Sequence, residues 1–167
     1  MKGKRAGGAT DRVFDEASRL AGILEEKRKR GLGIVLANGC FDLLHVGHVR
    51  YLEEAAGHGD ILVVAVNDDD STRRLKGEGR PVTPARERAE IVAALGPVDY
   101  VLIFGDDTVD SVLRQLRPDV HAKGTDYSVE TVPEVGTARE IGCRTVITGD
   151  PKDHSSGAMI DRMKGEG

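Results

Sequence analysis

The chain is short of cysteine, of long apolar runs and of excess positive charge, and each shortage excludes a class of protein. Two cysteines in 167 residues, Cys40 and Cys143, cannot form a disulfide framework. The longest apolar run, from Ile61 to Val66, falls far below the roughly 20 residues that cross a membrane. Met1, Lys2, Lys4 and Arg5 lead into no apolar stretch, so no secretory leader is expected and a cytoplasmic location is. Lys plus Arg number 24 and Asp plus Glu 28, giving a formal charge of −4. That balance offers no general attraction to nucleic acid or to anionic membranes, and neither is an expected partner. Any polyanion must be held by a few well-placed groups. The length fits one α/β domain, and 39% hydrophobic with 31% charged residues describes a globular chain.

Glycine, in contrast, is plentiful at 21 residues, several of them where strands should meet helices. Residues 1–10 are polar and glycine-rich and read as a disordered tail, leaving 11–167 as a single domain. Val13, Ala17, Leu20 and Leu24 recur at helical spacing and predict a helix over 11–27, followed by Gly31 and Gly33. The basic run at 27–30 reads as a last turn complementing the helix dipole rather than as an RNA patch.

The period then changes. Buried strands are predicted at 33–37, 60–66, 98–104, 119–122 and 144–148. Helices are predicted at 46–56, 84–95, 107–116, 133–141 and 155–163, with Pro84 in the first turn of its helix. Short strands alternating with helices predict a Rossmann-like, doubly wound five-stranded parallel sheet with an N-terminal helical extension.

In such sheets ligands lie beyond the carboxyl ends of the strands. The segments after the strands carry Asn38–His48, then Asn67 to Arg80, then Lys123-Gly124-Thr125-Asp126-Tyr127, then Gly149 to Ser156. They gather cations, hydroxyls, imidazoles and glycines at one edge of an acidic protein, which suits phosphate. Within them His45-Val46-Gly47-His48 places two imidazoles three residues apart, on one face of a helix start where backbone N–H groups already favour an anion. Gly47 leaves room for a ligand between them. Two imidazoles can donate hydrogen bonds to a phosphate as charge builds on its oxygens. The same pair could bind a metal with Cys40 or His154, or stand solvated on the helix; the surrounding string disfavours both.

Gly39-Cys40-Phe41-Asp42-Leu43-Leu44-His45-Val46-Gly47-His48 resembles the signature of the cytidylyltransferase-like, or HxGH, nucleotidyltransferases. Ala65-Val66-Asn67-Asp68-Asp69, Arg74-Leu75-Lys76-Gly77, Gly79-Arg80-Pro81-Val82 and Lys123-Gly124-Thr125-Asp126-Tyr127 resemble the adenylyltransferase domain of the bacterial heptose-phosphate enzymes, usually fused to a sugar kinase. The resemblance covers about residues 32–163.

It implies attack by a sugar phosphate on the α-phosphorus of a nucleoside triphosphate, with release of pyrophosphate. The nucleophile is already an anion at pH 7, so no general base is needed. By residue-for-residue resemblance, His45 and His48 stabilise the pentavalent phosphate and Lys76 holds phosphate oxygens. Arg88 contacts phosphate, and Ser155 and Ser156 bind the β- and γ-phosphates. Gly39, Cys40, Phe41, Gly47 and Gly124 belong to the nucleotide site. Lys123 and Asp126 hold nucleotide ribose or sugar hydroxyls. Asp69 is expected to reach the ligand; Asp42 either touches substrate or caps the His45 helix. Asp68, Asp69 and Asp70 could suggest a metal site but read rather as a strand end leading into a helix N-cap. His121 and Cys143 read as core or surface residues.

The expected substrates are ATP and D-glycero-D-manno-heptose 1-phosphate, giving ADP-heptose for lipopolysaccharide or another surface glycan. Mg²⁺ is the expected cofactor, held mainly by phosphates, with no protein metal site. A homodimer is expected, with a separate heptose kinase and a phosphatase in the same pathway. The alternative keeps the fold and uses CTP with glycerol 3-phosphate or ethanolamine phosphate. The chain departs from the family pattern in two places. His154-Ser155-Ser156-Gly157 stands where Ile- or Cys-Ser-Thr-Thr is usual. Asp150, in a loop with Lys152 and Asp153, stands where cytidylyltransferases carry an arginine, which points to ATP over CTP.

Overall fold

The computed structural model describes residues 7–151 and 154–165. Its centre is set by two apolar segments, β2 (Ile34–Gly39) and β3 (Ile61–Asn67), which pair in parallel with Ile34 opposite Ile61 and Gly39 opposite Val66. Both are covered on both faces, the usual condition of parallel strands and the reason they read as continuous apolar runs. Successive side chains alternate between two cores. Val35, Ala37, Val64 and Val66 pack on one side against Leu52 and Ala55 of α2 (Val46–Ala56) and Ala89 and Val92 of α4 (Ala85–Ala94). Ile34, Leu36, Val63 and Ala65 pack on the other against Leu20 and Leu24 of α1 (Ala17–Lys29) and Leu113 of α5 (Asp110–Leu116).

The parallel sheet has six strands, one more than expected: the edge strand β1 (Val13–Phe14) joins it in the order β1-β4-β3-β2-β5-β6. The others are β4 (Tyr100–Phe104), β5 (Val120–Lys123) and β6 (Arg144–Ile147). Val13 and Phe14 pair with Val101 and Leu102 of β4. The predicted helix over 11–27 is therefore corrected at its start. Val13 fits the helical spacing, but the open edge of β4 offers hydrogen bonds that an isolated first turn lacks, and the helix begins only at Ala17. Its last turn carries Lys27, Arg28 and Lys29, as the dipole reading requires. Arg28 also donates to the carbonyls of Leu116 and Arg117, tying together the ends of α1 and α5.

The expected loose tail lies outside the described residues over 1–6; Gly8 donates to Asp11 Oδ2 at 2.7 Å and Thr10 opens a 3-10 turn. The helix that the aspartate run introduces is α3 (Asp69–Lys76); periodicity does not show it because its buried side chains are Ser71 and Thr72 rather than an apolar stripe. Asp68 caps it, accepting from Ser71 N–H at 2.8 Å. Pro84 sits one position before the helix it was expected to enter, at the N-cap of α4. The chain ends in α6 (Val135–Glu140), β6 and α7 (Ser156–Lys164). No helix among the described residues is long and apolar enough to cross a membrane.

Sheet order reverses at β2: β3 and β4 lie to one side, β5 and β6 to the other. The crevice between the carboxyl ends of β2 and β5 is where the fold places a ligand.

Candidate active site

Two adjoining cavities open at that crevice. The smaller, about 200 Å³, is lined by His45, Gly47 and His48 of the α2 start, by Thr148 to Pro151, and by His154, Ser155 and Ser156 at the α7 start. The larger, about 500 Å³, is lined by Asn38 to Asp42, Asn67, Lys123, Tyr127 and Glu134 among others. His48, Tyr51, Lys76, Gly124, Asp126 and Ser156 line both.

The imidazole pair is set by the cap of α2. His45 is the N-cap residue, and its backbone N–H donates to His48 Nδ1 at 3.3 Å. That bond fixes the tautomer: Nδ1 is the acceptor, so neutral His48 carries its proton on Nε2. The two rings stack with centroids 3.9 Å apart and planes at 26°. Burial pushes the His48 pKa down to about 4, with His45 and Lys76 adding to the effect. Burial also lowers that of His45, with His154 contributing; the His154 ring centroid is 6.1 Å away. Among the described residues, the buried His45 Nδ1 has no hydrogen-bond partner. Gly47 lines the smaller cavity, and its bare face also makes room for a neighbouring ring. A Cβ there would lie 2.9 Å from the His45 ring, so the missing side chain lets that imidazole fold over the helix start.

Lys76 ends α3, and Gly77 at φ +98° turns the chain away. Its ammonium comes from a helix end rather than from the expected loop, and Lys76 lines both cavities. Ser155 caps α7, accepting from Ala158 N–H at 3.0 Å. Ser156 accepts from Arg80 at 3.0 Å. Arg80 also pairs with Asp42 at 2.5 Å, and Asp42 accepts from the N–H groups of Val82 and Thr83. Burial works to raise the Asp42 pKa, but Arg80 and the two N–H groups outweigh it and the net shift is downward. Asp42 therefore does not cap the His45 helix. It joins the loop after β2 through Arg80 to the first turn of α7, bracing the smaller cavity from behind.

Two sequence-predicted site residues stand apart from both cavities. Arg88 is fully buried, and its guanidinium donates to the carbonyls of Thr83, Cys40 and Asn67 and to Asp69 Oδ1, at 2.5–2.8 Å. With its donors so committed it is a cross-brace, not a phosphate contact. Asp69 accepts from Arg88 and from Ala85 N–H at 2.8 Å, which fixes the start of α4 rather than reaching a ligand. Cys40 is buried with Sγ 3.8 Å from Asn67 Oδ1, and Phe41, at φ +49°, turns its ring toward His48. Gly39, Cys40 and Phe41 line the larger cavity, not the smaller one. His121 is a core residue, its Nε2 2.9 Å from Asn38 Oδ1, and Cys143 is buried too, its thiol pKa pushed up to about 12.

Sequence reasoning missed Tyr51 and Glu134. Tyr51 stands three residues after His48 and so shares its helix face, a spacing that could have revealed it. Its hydroxyl donates to Ala122 O at 2.7 Å, linking α2 to β5 beneath the crevice. Glu134 belongs to no motif. Asp150, noted as a departure, is paired with Arg50 at 2.5 Å, and its carbonyl accepts from Thr125 at 2.7 Å. Lys152 and Asp153 lie outside the described residues. Among those described, no group of three or more His, Cys, Asp or Glu side chains is placed to hold a metal ion.

Stacked imidazoles on one helix start and serines on another, at a crevice where the strand order reverses, mark the candidate site of this α/β domain. The chain matches the Cytidylyltransferase-like family over residues 36–162 and belongs to it. It is 44% identical over 144 residues to the bifunctional protein HldE of Pseudomonas paraeruginosa, and 46% identical over 144 residues to that of Geobacter metallireducens. Each match covers 86% of this chain but 30% and 29% of the relative, so the chain spans under a third of their length. Among solved structures it resembles a lipopolysaccharide core biosynthesis protein from Thermoplasma volcanium, with a TM-score of 0.62 and 28% identity. That match covers 73% of this chain and all of the other.

Proposed function

We propose that the chain transfers AMP from ATP to D-glycero-D-manno-heptose 1-phosphate, giving ADP-heptose and pyrophosphate for a surface glycan. The observation that carries this reading is the junction of the two cavities at His48, Lys76 and Ser156. A nucleotide in the smaller cavity presents its phosphates to an acceptor in the larger one without either leaving the crevice. An oxygen of the acceptor phosphate forms the new bond to the α-phosphorus, and the bond to the β-phosphate oxygen breaks. The enzyme's work is positioning and charge stabilisation. Neutral His48 offers its Nε2 proton to the α-phosphate oxygens. Lys76, lining both cavities, screens the repulsion between the two phosphates. The α7 N-terminus, with Ser156 braced by Arg80, receives the leaving pyrophosphate. The relatives named HldE and the lipopolysaccharide-core neighbour support a heptose substrate.

Mg²⁺ fits this chemistry as an ion held mainly by triphosphate oxygens, since the smaller cavity is lined mostly by imidazoles, an ammonium and hydroxyls, with carboxylates only at Asp126 and Asp150. Asp126, the carboxylate lining both cavities, is the residue to complete its shell. When bound, the ion would neutralise phosphate charge. Activity is expected to vanish with EDTA and return with magnesium.

Base choice follows from Asp150. The loop position that would supply a cytosine-reading arginine instead carries a carboxylate, committed to Arg50. ATP is expected to exceed CTP by at least about tenfold in kcat/KM, or roughly 1.4 kcal/mol. The test is a pyrophosphate-release screen of ATP, GTP and CTP against heptose 1-phosphate, other sugar 1-phosphates, glycerol 3-phosphate and ethanolamine phosphate. CTP turning over as well as ATP, or a non-sugar acceptor leading, defeats the named substrates. The reading includes a cytoplasmic homodimer, for which light scattering should give twice the chain mass of 17.9 kDa.

A further inference from the structure

The larger cavity contains a pair of buried groups that the protein leaves incompletely satisfied. Lys123, at the end of β5, has a side chain only 10% exposed, and its Nζ is ion-paired with Glu134. It lies 3.5 Å from Glu134 Oε2 and 4.9 Å from the centre of the Tyr127 ring. Glu134, just before α6, is 2% exposed. Its Oε1 accepts from Val109 N–H at 3.3 Å, which anchors the carboxyl group; Oε2 has no hydrogen-bond partner. Both residues line the cavity, as does Tyr127.

A buried ammonium and a buried carboxylate stabilise a protein only when their remaining protons and lone pairs are also satisfied. Here the two face each other as an ion pair at 3.5 Å that closes no hydrogen bond at Glu134 Oε2, which leaves capacity for a ligand between them. A phosphate would satisfy Lys123 but would be repelled by Glu134. A hydroxyl suits both, because it accepts from the ammonium while donating to the carboxylate, and two neighbouring hydroxyls can share the work.

We propose that Lys123 and Glu134 are the hydroxyl-reading pair for the acceptor, with the Tyr127 ring as their wall, and that the ligand class is a sugar phosphate carrying adjacent hydroxyls. The proposal rests on the reading that the larger cavity takes the acceptor. It assigns to Glu134 the task of discrimination, since a site built to bond a hydroxyl strongly rejects a ligand that lacks one.

Calorimetry tests it, with a non-hydrolysable ATP analogue present throughout and two probes, heptose 1-phosphate and inorganic phosphate. Glu134→Gln is expected to weaken sugar phosphate binding at least about tenfold. Inorganic phosphate binding and the affinity for the ATP analogue should stay within about twofold. Unchanged sugar phosphate binding overturns the proposal, as would a site filled by water alone. An equal loss for both probes also overturns it, because that marks a phosphate cradle or a collapsed cavity. Should Glu134→Gln fail to fold, Tyr127→Ala decides from a partly exposed position: selective loss of the sugar phosphate supports the pair, and no loss or a shared loss overturns it. Binding is read without turnover, so the outcomes separate. A selective loss with no nucleotidyl transfer in the screen leaves the pair and removes the reaction; transfer with no selective loss does the reverse.

Discussion

The two cavities meet at the same side chains but are built from different material. The smaller one draws its groups from two helix starts, where neighbours in sequence are neighbours in space: His45 with His48, and Ser155 with Ser156. The larger one is walled by strand ends and by Glu134, brought together by sheet topology. The cations show the same contrast. Lys76 ends a short surface helix and faces both cavities, whereas Arg88 enters the core between β2, β3 and α4 and is consumed there. A cation in a family-like position can thus serve a ligand or hold up the walls around it, and burial with hydrogen-bond partners decides which.

The largest expected effect tests that contrast directly. Arg88→Ala leaves the carbonyls of Thr83, Cys40 and Asn67 without their donor and Asp69 without its partner. It should cost about 3–5 kcal/mol of stability, a fall of roughly 10 °C in Tm. Below the transition the folded fraction should keep its KM for ATP within about threefold. A variant of normal stability with a greatly raised KM for ATP would return Arg88 to the phosphate site.

Next come the imidazoles. His45→Ala and His48→Ala should each lower kcat by about 10²-fold or more, the usual worth of a preorganised donor to a developing oxyanion. Lys76→Met should lower kcat/KM by about tenfold or more with little change in Tm, because among the described residues its ammonium braces no other element. Near-normal turnover in both histidine variants would remove the α-phosphate from this end of the crevice.

Such results bear on what the sequence made legible. The bounds of α2 are those the pattern predicts, and the imidazoles, Lys76 and the serines all reach the smaller cavity, because caps and helix starts are local chemistry. Val13 and Phe14 fall within a helical spacing, and two residues carry too little pattern to show a strand whose partner lies far along the chain. Only its aspartate cap marks α3, because the helix buries a serine and a threonine instead of an apolar stripe. The roles of Asp42 and Asp69 depend on Arg80 and Arg88, which only the folded sheet brings near them. Glu134 shows the limit most clearly. Its partner Lys123 sits on a different element, and nothing in the spacing of the two marks a pair.

The smallest effect compares a histidine of the site with one of the core. Burial holds His48 at a pKa of about 4 and His121 at about 3, the latter with help from Lys123. Both lie below the unfolded value near 6.5, so the folded state prefers the neutral ring. The stability each neutral ring retains is complete above pH 6.5 and is lost as pH falls toward its folded pKa. Over that window each ring should cost about 1.4 kcal/mol per pH unit. Denaturant midpoints measured from pH 7.5 down to 5 should therefore decline below 6.5. His121→Gln keeps a donor for Asn38 but cannot titrate, so it should flatten part of the decline while leaving turnover at pH 7.5 within about threefold. His48→Gln should flatten a further part and also lower kcat by about 10²-fold or more, because that ring, unlike His121, lines the crevice proposed to hold the phosphates. Equal losses of activity in the two variants would mean that His121, too, reaches the reacting groups, and the division between core and site drawn at β5 would have to move.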